Sequence, residues 1–132
     1  MPIYSEADEM TEMTPVVDAD RIFAINNKVR WVGLVTAKGE VVLNQMRPGV
    51  QSYSPSELDA EFLRLGPPTL LGVEERYSQY MQGVMEIVVY YGLAVSVYAR
   101  LGSQVIAISI EDDRNALSEV RAWLKIGRSE FL

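Results

Sequence analysis

The sequence predicts an α+β domain with one five-stranded, mostly antiparallel sheet, its elements in the order helix, strand, strand, broken helix, three strands, helix. Three observations carry that prediction. Five segments show the two-residue alternation of strands and fall into a group of two and a group of three. Between the groups, apolar residues recur at three- and four-residue spacing, as along one side of a helix. The most apolar stretch, VMEIVVYYGLAVSVYARLGSQVIAISIEDD from Val84 to Asp113, is free of acids and bases only from Ile87 to Ala99. A membrane-spanning helix needs about 20 mostly apolar residues. This stretch, rich in Val and Ile, reads instead as the middle of a sheet.

Taken in chain order, Pro15 separates an acidic leader from the first helix, which Asp18 or Asp20 caps and which ends near Asn27 or Lys28. Ile22, Phe23 and Ile25 form its apolar side. Val29 to Thr36 and Glu40 to Gln45 alternate as strands around the turn Ala37-Lys38-Gly39, and Pro48-Gly49 closes the second. Ser54-Pro55-Ser56-Glu57 starts the middle helix, with a hydroxyl cap ahead of acids that suit the helix dipole. Gly66-Pro67-Pro68 is expected to break it, with a restart near Pro68. Glu86 to Tyr91, Leu93 to Arg100 and Gln104 to Ile110 are the last three strands, separated by Gly92 and by Gly102-Ser103. Asp112 or Asp113 caps a closing helix with Ala116, Leu117, Val120, Trp123 and Leu124 inward, and Gly127 is its expected stop.

Composition narrows the chemistry. With 132 residues, 48% of them hydrophobic, the chain is long enough for one domain with a sizeable core, expected over residues 15–132. The formal charge of −6 resides in the first 20 residues, which hold six acids and no Lys or Arg; beyond them 12 acids meet 12 bases. Residues 1–14 therefore read as an acidic, mobile arm. The body lacks the massed Lys and Arg of a nucleic-acid surface. There is no signal-peptide pattern, so a cytoplasmic protein is expected. The absence of Cys and His removes the usual nucleophile, general base and soft metal ligands. No glycine-rich phosphate loop occurs, and nothing pairs a nucleophile with a base. The expectation is a protein that is not an enzyme and carries no metal or cofactor.

Individual candidates point the same way. Glu111-Asp112-Asp113 lacks the alternating ligands of a calcium loop and sits where a helix cap belongs. Glu74 and Glu75 are helix neighbours about 100° apart, which suits a solvated face. Gly33 in the first strand, with Ala107 and Ser109 on another, allows a helix to pack closely. The most informative feature is an aromatic and aliphatic series, Leu58, Phe62, Leu65, Leu70, Tyr77, Tyr80 and Met81, followed by Tyr90 and Tyr91 on a strand. Core packing accounts for most such stripes. Tyrosines also suit an interface, because each joins apolar area to a hydroxyl that can stay wet.

The element order, the segment WVGLVTAKGEVV and the segment RLGSQVIAISIEDDRNALSEVRAWL together resemble the roadblock/longin branch of the profilin-like folds. The resemblance spans roughly Asp20 to Ile126, and the Gly66-Pro67-Pro68 interruption departs from the family pattern. It implies a homodimer made by the middle helix and the adjacent strand, acting as a non-catalytic scaffold for a small GTPase or a larger protein complex. The nine residues of the series above are the interface it implies. The alternative is a small-molecule-sensing domain of PAS/GAF type, with a cavity between sheet and middle helix.

Overall fold

The computed structural model describes residues 13–131 apart from residue 82, with side chains described outside 66–76 and 128–131. Its elements are α1 (Ala19–Phe23), β1 (Val29–Thr36), β2 (Val41–Met46), α2 (Ser56–Met81), β3 (Ile87–Tyr90), β4 (Ala94–Leu101), β5 (Gln104–Glu111) and α3 (Arg114–Phe131). The strands form one sheet in the order β2-β1-β5-β4-β3, and every pairing is antiparallel. Two hairpin groups thus meet along β1 and β5, and α2 carries the chain from one edge of the sheet to the other. The β1–β2 and β4–β5 turns place Gly39 and Gly102 at φ 86° and 58°, left-handed values that glycine adopts without a Cβ penalty. Gly92, expected to serve the β3–β4 turn in the same way, is not among the glycines at positive φ.

Period-two alternation decides which helix each strand face meets. Ile106, Ile108 and Ile110 of β5, with Val95, Val97, Ala99 and Leu101 of β4, join Ile22, Phe23, Ala116, Leu117, Val120 and Leu124 in the main core under α1 and α3. Val32 and Leu34 of β1 join them, and a register shift between Val29 and Trp31 turns Val29 to the same side. The opposite face carries Trp31, Tyr98 and Ala107 beneath α2, where Leu63 seals them.

The terminal helices follow their caps. The Asp18 carboxylate accepts the Arg21 backbone N–H at 2.9 Å, and the Asp113 carboxylate accepts that of Ala116 at 2.9 Å. Helix α1 ends at Phe23, earlier than Asn27. The Asn26 side chain accepts the Lys28 N–H at 2.8 Å and folds the chain into a local turn that competes with helix. The guanidinium of Arg47 then donates to the carbonyls of Val29, Phe23 and Asn26 at 2.6–2.7 Å, tying the exit of α1 to β1. Glu111 receives Lys28 at 3.2 Å and Arg30 at 3.7 Å. Upstream of α1, buried Gln104 accepts from the Val16 N–H at 3.0 Å and donates to the Thr14 carbonyl at 2.7 Å. The acidic arm before Met13 lies outside the described residues.

Two expected breaks do not occur. Helix α2 runs unbroken through Gly66-Pro67-Pro68 for 26 residues, about 39 Å. Two prolines remove only the donors that the Leu63 and Arg64 carbonyls would otherwise receive, and their fixed φ suits a helix. Gly66 has no Cβ to clash with the ring that follows it. Helix α3 likewise passes Gly127, which is buried, and ends at Phe131. A glycine inside a helix costs about 1 kcal/mol relative to alanine, too little to end one.

Candidate functional site

Two features stand out once the cores are accounted for: an apolar surface and a cavity. The surface begins at α2, which grips the sheet through its N-terminal half. Among its residues with described side chains, Leu63 is fully buried and Phe62 packs on Tyr98, their ring centroids 5.5 Å apart. Every residue from Tyr77 to Met81 is exposed, so the far end of the helix touches little of its own chain. Tyr80 is 76% exposed and Met81 70%. Nearby in sequence, β3 is an edge strand of four apolar residues, Ile87–Tyr90, with no proline or charge within it to discourage a neighbour. Met85, Tyr90, Tyr91 and Leu93 around it are exposed. The other edge, β2, exposes Asn44 and Gln45.

Of the nine residues singled out in the sequence, Leu58, Leu65, Tyr77, Tyr80, Met81, Tyr90 and Tyr91 are exposed. Phe62 turns inward to the second core. The Leu70 side chain lies outside the described residues.

The cavity, about 490 Å³, lies at one end of the sheet beneath the first turns of α2. Trp31, Met46, Leu58, Phe62 and Tyr98 supply apolar walls, and Ser96 and Ser109 supply hydroxyls. Ser96 and Ser109 are register partners across β4 and β5, and their small size leaves the room. At the rim, the Arg30 guanidinium lies over the Tyr53 ring at 4.0 Å and donates to the Gln51 carbonyl at 2.8 Å. Asp59 accepts from the Ser54 hydroxyl at 2.7 Å. The Tyr98 hydroxyl is buried with no hydrogen-bond partner, although Tyr91 and Ser96 stand beside it. Burial, followed by the neighbouring Tyr91, pushes its pKa far above the ordinary phenol range. It stays a neutral donor at all ordinary pH values.

No family model matches the sequence, and no curated protein matches it. Solved structures do. The gliding protein MglB from Thermus thermophilus superposes with a TM-score of 0.62 at 10% identity, over 98% of this chain and 93% of that one. Myxococcus xanthus MglB gives 0.59 at 19%, over 98% and 90%. A Roadblock/LC7 domain from Streptomyces avermitilis gives 0.56 at 14%, over 86% and 98%. The fold is of the roadblock type. At these identities the likeness concerns the fold, with residue roles left to this chain's own chemistry.

The sequence led to a cavity between sheet and middle helix only under the alternative, small-molecule-sensing reading, and without its lining residues. Its one signal was the run of small residues on the α2-facing side, Ala94 and Ser96 on β4 with Ala107 and Ser109 on β5, opposite the large Trp31 and Tyr98.

The orphaned hydroxyl has a measurable consequence. A buried donor without a partner costs about 1–3 kcal/mol, so Tyr98→Phe is expected to raise the urea midpoint. Because the folded-state pKa lies above the ordinary 10.0, the native chain keeps a proton that the unfolded chain releases. That contribution to stability is intact below about pH 10 and falls as pH rises beyond it. Tyr98→Phe should remove this alkaline loss, read as a smaller drop in thermal midpoint between pH 9 and 11 than in the parent chain.

Proposed function

We propose that the chain is a non-catalytic interaction module. It pairs with a second copy along the β3 edge and the exposed side of α2, and offers the paired surface to a protein partner. The observation that carries this reading is a set of exposed apolar side chains at the end of α2 and around β3, Tyr77, Tyr80, Met81, Met85 and Tyr90, together with an unprotected strand edge. A second copy suits that surface because an edge strand completes its hydrogen bonds with an identical edge under twofold symmetry. One solved MglB of the same fold, with a TM-score of 0.58, is described as having a tetrameric arrangement, which supports association in chains of this shape. The partner class that the roadblock resemblance implies is a small GTPase. A chain without His or Cys suits a role of binding and positioning.

Light scattering on a size-exclusion column tests the pairing. At micromolar concentration the expected mass is about twice 14.8 kDa, and Tyr80→Glu should return the single-chain value without loss of helicity. A parent chain that runs at 14.8 kDa at several hundred micromolar would overturn the reading.

A further inference from the structure

The cavity under α2 holds chemistry that pairing of two copies does not use. We infer that it binds a neutral, planar, largely apolar small molecule that offers a hydrogen-bond acceptor to the Tyr98 hydroxyl.

Four observations converge on that ligand class. The volume, about 490 Å³, suits a two-ring molecule, within the roughly 300–1,000 Å³ of small-molecule sites. The walls are aromatic and aliphatic, with Trp31 and Phe62 among them. The charged residues among its lining, Arg30 and Asp59, are one of each sign. Arg30 is engaged by Gln51, Tyr53 and Glu111, and Asp59 by Ser52 and Ser54. An ionic ligand would therefore meet no unanswered charge. The Tyr98 hydroxyl is the exception among these polar groups: fully buried, without a partner, and with its neighbours Tyr91 and Ser96 lining the same space. A native structure seldom leaves such a donor unmet, and a ligand oxygen or ring nitrogen would satisfy it by displacing the half-exposed Tyr91, since the hydroxyl itself has no surface open to the cavity.

The site shares Leu58, Phe62 and Tyr91 with the interface that the resemblance implies, and it is tested separately from the pairing. Coumarin, a neutral two-ring compound with a carbonyl acceptor, is titrated into the isotopically labelled full chain while amide resonances are followed, with 2-naphthoate as the charged counterpart. Coumarin is expected to move the resonances of Ser96, Tyr98 and Ser109 in a saturable way and to bind more tightly than 2-naphthoate. Tyr98→Phe, which keeps the ring and removes the donor, should weaken coumarin about five- to tenfold. Ser109→Phe, which fills the space, should abolish binding. Should that variant fail to fold, Tyr98→Phe decides alone.

The inference is overturned by any of three results: no saturable movement with coumarin, equal affinity in Tyr98→Phe, or binding that appears only in Tyr80→Glu. The last would mean that a second copy fills the cavity in the parent chain. Masses measured on the same samples report the pairing independently, so each proposal fails by its own readout.

Discussion

Replacing Leu63 by alanine is expected to destabilise the chain by about 2–5 kcal/mol, the range for removing a fully buried leucine whose site does not collapse. Leu63 is the anchor of a long lever. It is 0% exposed and packs with Trp31, Tyr98 and Ala107, whereas the last turns of α2 lie in the open. Removing its methyl groups opens a gap between a helix and a sheet, both stiffened by their own backbone hydrogen bonds, so neither closes readily onto the other. Urea unfolding followed by circular dichroism reads the loss as a lower midpoint at an unchanged slope. Proteolysis under native conditions should cut α2 near Tyr77–Met81 sooner than in the parent chain. Leu65→Ala is the matched control, since its side chain is 63% exposed in the single chain. It should stay within about 0.5 kcal/mol if stability is measured on dilute, unpaired protein. An equal loss in both variants would show that α2 is seated on the wrong side.

That contrast also shows how far the sequence reaches. Strand β1 was legible to its bounds, because Val29 to Thr36 is flanked by a turn at Lys28 and a hairpin at Gly39. The faces of β4 and β5 were legible too, since alternation on a pleated strand leaves two choices and the isoleucines of β5 select one. Helix α2 was harder. Leu58, Phe62 and Leu65 make one apolar line, but Leu63 stands about 100° from Phe62 and belongs to a competing line. Local spacing does not choose between them; the choice falls to Gly33, 30 positions earlier, which admits one leucine and no more. The prolines misled for a related reason. Their local cost argues for a break, and a helix long enough to keep its other hydrogen bonds absorbs it. The cavity left little signal because its walls come from β1, β2, β4, β5, α2 and residues 52–54 and 91–93, which meet only once the sheet has formed.

Gly33→Ala is expected to cost about 1–3 kcal/mol, through overpacking rather than backbone strain. A Cβ at this position would lie 2.5 and 2.8 Å from the two methyl carbons of Leu63 and 2.7 Å from the far edge of the Trp31 ring. All three atoms are side-chain ends, yet Leu63 and Trp31 are buried and hold each other in place, so neither yields freely. The backbone at Gly33 is not left-handed, so alanine is otherwise compatible with the strand. The clash and the Leu63 seat are therefore the same interaction seen from two sides, and a double-mutant cycle exposes that. A Leu63→Ala background removes two of the three close contacts and leaves the one to Trp31 at 2.7 Å. There Gly33→Ala should cost less than in the parent chain, with a coupling of roughly 0.5–3 kcal/mol between the two sites. Additive losses in the double variant would mean that α2 does not rest on β1 at Gly33, and the seating of the helix would have to be redrawn from that result.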